Sequence, residues 1–480
     1  MLNASAELWF QISRRHQWER RSETMKKEMG TTNRREFMKT SAATTLGFGL
    51  AALQTETSRA EIIGANDKIR LAFIGLANRG GQLLTSFSKS PDLKIAAFCD
   101  VDSKTLGLAA ERYGVAEENQ TTDFRRLYDR ADVDGIVVAT PDHWHAYMTV
   151  EACKSGKDVY CEKPLATSIV EGRAMVAAAR KYNRVVQVGI HRRSAPLYQK
   201  IFNEIGLENK VGRVAVARTA HCSNMYPSGM GKAKPTTPPA NLDWELWLGP
   251  RPERDYQENI TPYKFRWWNE YCSQIANQGV HFFDLIRWAL NEKAPSSVCA
   301  MGGKYVVDDD RTIPDTMAAC FEFASGRLVT FNHFESSGNP IMATDDQFRA
   351  LGFVEYRGTQ GTCYVYDNRY LIKPEKPGQF QEKAPRAQEE EYTLEGNAQQ
   401  NLDATALHAQ NFMDCMRSRN RPNTDVEEAH LSTTMSHLAN ISLAVRQRIE
   451  WDAENERVTN VAEANDLLGV SYRDPWKLTL

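Results

Sequence analysis

A chain of 480 residues is too long for one ordinary hydrophobic core, so two domains plus appendages is the expectation. Its composition, 42% hydrophobic and 25% charged with a net charge of −2, suits a globular protein and gives no reason to expect a nucleic-acid partner. Beyond the leader no apolar run approaches the roughly 18 residues a membrane span needs, and nine scattered cysteines without a C-x-x-C pair argue against a zinc site or a disulfide framework.

Residues 1–60 form a leader. Thr32-Asn33-Arg34-Arg35-Glu36-Phe37-Met38-Lys39 precedes a weakly apolar stretch from Ser41 to Leu53, and Ser58-Arg59-Ala60 places small residues where a signal peptidase reads. This order resembles a twin-arginine export signal, an address and not an anchor, and it implies a periplasmic or otherwise exported protein loaded with its cofactor before export. An ordinary basic helix is the competing reading, and Met25 and Met29 are alternative starts.

From Asp67 the pattern predicts strands at Ile69–Ile74, Leu93–Phe98, Gly135–Ala139, Asp158–Cys161 and Val185–Val188, with a short polar strand at Gln120–Asp123. Helix-period stretches lie between them at Gly81–Ser90, Ser103–Tyr113, His145–Ser155 and Ile169–Tyr182. Continuous apolar strands alternating with amphipathic helices mean a parallel sheet covered on both faces, here a doubly wound dinucleotide fold over residues 67–190.

Residues 191–480 read as a second, α+β domain with an open, mainly antiparallel sheet. A helix at Leu197–Ile205 leads to a strand at Arg213–Ala220, a Pro/Gly/Lys-rich loop at Tyr226–Ala240 and an aromatic-rich segment at Trp244–Tyr271. A helix at Ile275–Leu290 precedes strands at Ser297–Val307, Thr316–Phe323, Arg327–Phe334, Gln347–Tyr356 and Gly361–Tyr366. Lys373–Ala398 is polar and reads as loop, and Asp403–Arg417 and Val426–Arg448 read as closing helices. The fold class is therefore α/β, with the open sheet of the second domain available to a second copy of the chain.

Gly75-Leu76-Ala77-Asn78-Arg79-Gly80 follows the first strand and opens the first helix. The two glycines serve a tight turn and close helix–strand packing, and the small Ala77 lets backbone N–H groups approach a pyrophosphate. Asp100 ends the second strand, where a carboxylate accepts from ribose hydroxyls and repels a 2′-phosphate, favouring NAD over NADP. Arg79 is the counter-argument, since it reaches either such a phosphate or the pyrophosphate, and a helix cap is the competing role for Asp100.

Ala139-Thr140-Pro141-Asp142-His143-Trp144-His145 and Cys161-Glu162-Lys163-Pro164 close the fourth and fifth strands, and Gly279-Val280-His281-Phe282-Phe283-Asp284 follows later. Together these resemble the Gfo/Idh/MocA oxidoreductase family from about Asp67 to the C-terminus. The resemblance implies a Rossmann domain, a cis peptide before Pro164, and Lys163 and His281 flanking a substrate hydroxyl. Asn277 stands where the family carries an aspartate, free to orient the imidazole or to bond substrate. The resemblance also implies that Thr140, Pro141, His145 and Glu162 contact the cofactor, and that Gln187 and His191-Arg192-Arg193 line its nicotinamide end. An interdomain salt bridge is the alternative for Arg192 and Arg193, and solvation the alternative for His143. Phe265-Arg266-Trp267-Trp268 is either a stacking wall for a sugar ring or packing, and His221, Tyr226 and Lys232 are candidates for the cleft mouth.

Alcohol oxidation needs a hydride acceptor and a base, and imidazole titrates near neutrality. The chemistry expected is hydride transfer between a nicotinamide and a secondary hydroxyl of a sugar, sugar derivative or cyclitol. The same apparatus allows an NAD-recycling glycosidase like family 109, although the tyrosine-rich G-x-H-G signature of that family is absent. A non-catalytic sugar-binding protein on the same scaffold is the third reading, with Asn277 its best support.

Overall fold

Apolar residues at nearly every position make the strands of the first sheet buried on both faces, as a sheet covered by helices requires. In the computed structural model, which describes residues 67–338, 352–378, 385–394 and 400–480, these strands are β1 (Ile69–Ile74), β2 (Leu93–Cys99), β3 (Gln120–Thr121), β4 (Gly135–Val138), β5 (Asp158–Cys161) and β6 (Val186–Val188). The export-signal residues lie outside the described residues. All six strands are parallel, in the order β3-β2-β1-β4-β5-β6. Helices α1 (Arg79–Phe87) and α2 (Ser103–Tyr113) pack their apolar sides on one face, α3 (His145–Lys154) and α4 (Ile169–Lys181) on the other. The winding reverses between β1 and β4, so the turns after these strands part and leave a crevice at their carboxyl ends.

After β6 the chain passes through α5 (Pro196–Ile201), which runs on as a π turn over Phe202–Leu207, into β7 (Val214–Cys222). A long excursion with α6 (Trp244–Leu248) and a π turn at Ile275–Gly279 leads into α7 (Val280–Leu290). Strands β8 (Ser297–Gly303), β9 (Thr316–Glu322), β10 (Leu328–Phe334), β11 (Gly352–Gly358), β12 (Gly361–Val365), β13 (Arg369–Pro374) and β14 (Glu390–Thr393) follow. Helices α8 (Gln400–Ser418) and α9 (Val426–Val445) and the short strands β15 (Ile449–Asp452) and β16 (Arg457–Val458) close the chain. The second sheet runs β14-β13-β12-β11-β7-β10-β9-β8-β15-β16, antiparallel except for the parallel pair β7–β10.

Two features depart from the sequence pattern. The polar stretch 373–398 is not wholly loop, since it holds the end of β13 and all of β14. β14 is the edge strand and β13 lies between it and β12; the two are joined by Tyr370 stacked on Tyr392 at 5.6 Å and by the Arg369–Glu391 pair at 2.8 Å, so polar side chains on β14 replace the alternation that marks inner strands. The C-terminal helices also return to the first sheet: Ala409, Phe412 and Met413 of α8 join the core beneath α1, and α9 packs on both α4 and α7.

A buried ion pair locks the two layers together. Arg193, just after β6, donates from Nε and Nη2 to the two oxygens of Asp284 on α7, both at 2.8 Å, and Ser432 on α9 donates to the same carboxylate at 2.9 Å. Asp284, the aspartate of the G-x-H-x-x-D motif, is thus a structural anchor, and Arg193 takes the salt-bridge role. Removing one partner leaves an uncompensated buried charge, so Asp284→Ala is expected to lower unfolding free energy by about 3–5 kcal/mol in urea titrations. A loss below about 1 kcal/mol would show that this pair does not hold the layers.

Candidate active site

The turn after β1 is shaped by its two glycines. Gly75 has φ +83°, and a Cβ there would lie 2.7 Å from the Ala139 carbonyl oxygen; a Cβ on Gly80 would lie 1.9 Å from the Gly75 oxygen. Ala77 and Asn78 form the exposed crest between them, and Asn78 also takes a positive φ of 38°. Asp100 braces this turn: its Oδ2 accepts from the Leu76 N–H at 2.8 Å and its Oδ1 from the Asp102 N–H at 2.9 Å. The helix cap is Asp102, which accepts from the N–H groups of Lys104 and Thr105, so Asp100 is not spent on capping. Burial raises the Asp100 carboxyl to about 6, against those two N–H donors.

Arg79 is engaged by other partners. Its Nε pairs with Glu162 Oε1 at 2.8 Å and its Nη1 meets Gln82 at 3.1 Å. Glu162 is buried, and although burial pushes its carboxyl up, Arg79 and Lys163 hold it below the usual range. The arginine therefore ties the glycine turn to the E-K-P turn. Thr140 and Pro141 line a cavity of about 270 Å³ with Gly75, Arg79 and Asp100. Its far wall comes from the excursion after β7, through Leu242, Leu246, Trp247, Pro262 and Phe265. That wall is pinned by backbone bonds from Ser103 N to Asn241 O (2.8 Å) and from Asp243 N to Val101 O (2.9 Å). A close-approach turn, an acceptor carboxylate, an apolar wall and the buried Thr140 hydroxyl, without a partner among the described residues, fit a dinucleotide.

Lys163 and His281 lie outside that cavity lining. Lys163, half-buried and followed by a cis bond to Pro164, sends Nζ across to the π turn, donating to the Asn277 backbone oxygen at 2.9 Å and to its Oδ1 at 2.7 Å. Burial lowers its ammonium to about 8, with Arg266 helping and Glu162 and Asp142 opposing. His281 begins α7. Burial first, then the charges of Lys163 and Arg192, push its imidazole well below 6.5, so the ring is neutral. Its Nδ1 has no partner among the described residues, and its ring stands edge-on to His191 at 5.6 Å. No hydrogen bond joins Asn277 to His281 among the described residues; Asn277 orients the lysine instead.

Other sequence candidates are placed as follows. His145 bridges two turns, its ring nitrogens 2.8 Å from Pro164 O and 3.1 Å from Thr140 O. Two carbonyl acceptors need two N–H donors, and although burial works against it, Cys161 and Asp142 help hold this imidazolium at about 10. His143 is not solvated: it is buried against Trp247, with Nε2 2.9 Å from the Trp247 carbonyl. Gln187 donates to the His408 carbonyl, and Arg192 pairs with Asp367 at 3.4 Å. Phe265 and Trp268 are core residues, while Trp267 donates to Glu335. His221 stacks on His333, and Lys232 pairs with Asp308 at the surface. Sequence reasoning missed Gln274, Glu335 and Arg311, which carry no motif and come together only through the second sheet. Among the described residues no group of three His, Cys, Asp or Glu side chains is placed to hold a metal, and no helix is long and apolar enough to cross a membrane.

Residues 69–190 match the model of an oxidoreductase family with an NAD-binding Rossmann fold, and residues 200–319 and 393–478 match its C-terminal alpha/beta domain. A 1,5-anhydro-D-fructose reductase of Ensifer adhaerens is 30% identical over 306 residues, covering 63% of this chain and 73% of that protein. A glycosyl hydrolase family 109 protein of Saccharopolyspora erythraea is 32% identical over 176 residues, 32% of this chain and 38% of that one. Against several of the most similar curated relatives, the chain spans between 35% and 39% of their length. A levoglucosan dehydrogenase solved with NADH and levoglucosan shares the fold, with TM-score 0.61 and 16% identity over 80% of this chain and 99% of that one.

Asp100 yields a pH dependence. Its acceptor form prevails above pH about 6 and is lost below it, so NAD affinity is expected to hold near neutrality and to weaken as pH falls through that value. Calorimetric titration checks this. Asp100→Asn should bind more weakly and without that dependence; a wild-type affinity unchanged well below pH 6 would remove Asp100 from ribose binding.

Proposed function

The chain belongs to the Gfo/Idh/MocA oxidoreductase family, and on that footing we propose that it is an NAD-dependent oxidoreductase acting on a secondary hydroxyl of a sugar, sugar derivative or cyclitol. The observation that carries this reading is a neutral, buried imidazole at His281 beside an ammonium at Lys163 whose pKa is lowered to about 8. Bound NAD supplies the hydride acceptor. Its pyrophosphate fits the Gly75–Gly80 turn and its adenosine ribose the Asp100 carboxylate, with NAD favoured over NADP because Arg79 is held by Glu162.

His281 takes the hydroxyl proton, for which a deprotonated imidazole whose Nδ1 has no partner among the described residues is suited. Lys163 has one N–H left after its two bonds to Asn277, and that N–H donates to the substrate oxygen and stabilises the negative charge developing there. His191 closes the other side of the imidazole. The likeness to family 109 proteins supports a second reading, a glycosidase that recycles its NAD. There, oxidation of a ring hydroxyl acidifies the neighbouring C–H, the aglycone leaves by elimination, water adds, and the hydride returns to the sugar.

Export through the twin-arginine route is part of the proposal, supported by the Arg34-Arg35 segment. So is a homo-oligomer formed through the open sheet face, supported by the exposure of Leu328 and Met301 on its strands.

Lys163→Ala and His281→Ala are each expected to cut turnover by about 10²–10⁴-fold while leaving NAD affinity within about threefold. Asp100→Ser should weaken NAD and improve NADP. A panel of polyols and glycosides with product identification separates the readings: net NADH marks the dehydrogenase, and aglycone release without net NADH marks the glycosidase. Full activity in either alanine variant would overturn the assignment of the pair.

A further inference from the structure

Lys163 is held by a chain of hydrogen bonds that runs from the cleft into the second sheet and ends on a buried carboxylate. An ammonium only donates, so the Asn277 oxygen Oδ1, 2.7 Å away, must face it. That turns the Asn277 Nδ2 toward Gln274, whose Oε1 accepts at 3.1 Å. Gln274 then presents its Nε2 to Glu335 Oε1, also at 3.1 Å. A carboxylate only accepts, so reversing the Gln274 amide would set one oxygen against another. Glu335 is itself fixed: Trp267 Nε1 lies 3.0 Å from both of its oxygens, and Arg311 donates to Oε2 while clamped on both oxygens of Asp309. Gln274, Asn277 and Glu335 are at most 5% exposed, so water does not compete for these bonds.

We propose that Gln274 and Glu335 are positioning residues: they set the Asn277 amide with its oxygen toward Lys163, and so leave the third N–H of the ammonium for the substrate. An aspartate at 277 would not need this device, since a carboxylate offers oxygen whichever way it turns. An asparagine does need it, because a flipped amide would bring N–H groups against the ammonium and displace it. The consequence for turnover rests on the reading of Lys163 given above; the orientation itself does not.

The test is competitive acetylation of the full-length protein by acetic anhydride across pH, with the Lys163 peptide followed by mass spectrometry. No substrate is needed. Lys163 also faces Glu162, Arg266, Asp142 and Cys272, and His281 lies nearby; all are kept in every variant, so differences report the amide chain. Losing the oriented acceptor favours the free amine, so Gln274→Met and Glu335→Gln should each raise Lys163 labelling at neutral pH by about threefold or more. In an Asn277→Asp background, Gln274→Met should add little. Glu335→Gln also loosens Arg311, so the volume-conserving Gln274→Met decides. Unchanged labelling in a Gln274→Met protein with native circular dichroism, or an equal change in the Asn277→Asp background, would overturn the proposal. With an active substrate, Gln274→Met should lower kcat and leave KM nearly unchanged. A shift in labelling without any loss of kcat would leave the positioning chain standing and overturn the catalytic reading of Lys163.

Discussion

Everything at this cleft depends on holding one ammonium partly out of water beside acceptors that are mostly neutral. Desolvation makes the charged form of Lys163 costly, and the two oxygens of Asn277 return part of that cost without supplying a full counter-charge. The nearest carboxylate, Glu162, is engaged by Arg79. The balance lowers the lysine to about 8, and burial, with the positive charge of Lys163 second, keeps His281 neutral beside it. The two side chains proposed as acid and base are thus coupled electrostatically and are not two independent sites.

That arrangement joins residues of two different segments of the chain. Lys163 comes from the end of β5 and Asn277 from the π turn that precedes α7. A π turn is a rare insertion often found at functional positions, and here it aims Asn277 at the lysine while His281 faces His191. The Arg193–Asp284 pair, the helix α9 and the backbone bonds at Asn241 and Asp243 hold the layers in register around it.

Much of the architecture is legible in the sequence, because strands buried on both faces leave continuous apolar runs and helices on a sheet leave a clear period. The turn after β1 is readable from its glycines, since no Cβ fits at Gly75 or Gly80. The ends of β4 and β5 are readable from A-T-P and E-K-P, and Lys163 follows β5 as that pattern places it. What pattern does not reveal is where a polar side chain spends its hydrogen bonds. His143 carries no mark of its burial against Trp247, and His145 none of its bridge between two turns. Glu335 and Gln274 lie 61 residues apart, one just after β10 and the other just before the π turn, and meet only in the folded chain. The edge strand β14 escapes for a related reason: unpaired on one side and with no fully buried residue, its Glu390-Glu391-Tyr392-Thr393 sequence is that of a loop.

The central claim is that Lys163 and His281 form an alcohol-oxidising pair beside a nicotinamide. The most direct measurement is a single-turnover experiment on NAD-loaded protein mixed with sugars and glycosides, following the reduced-nicotinamide absorbance band. The account predicts a band that rises with at least one of them in the wild type, persisting for a dehydrogenase and decaying for a recycling glycosidase, and that is lost in His281→Ala with NAD still bound. A band that rises as fast in His281→Ala as in the wild type would contradict it.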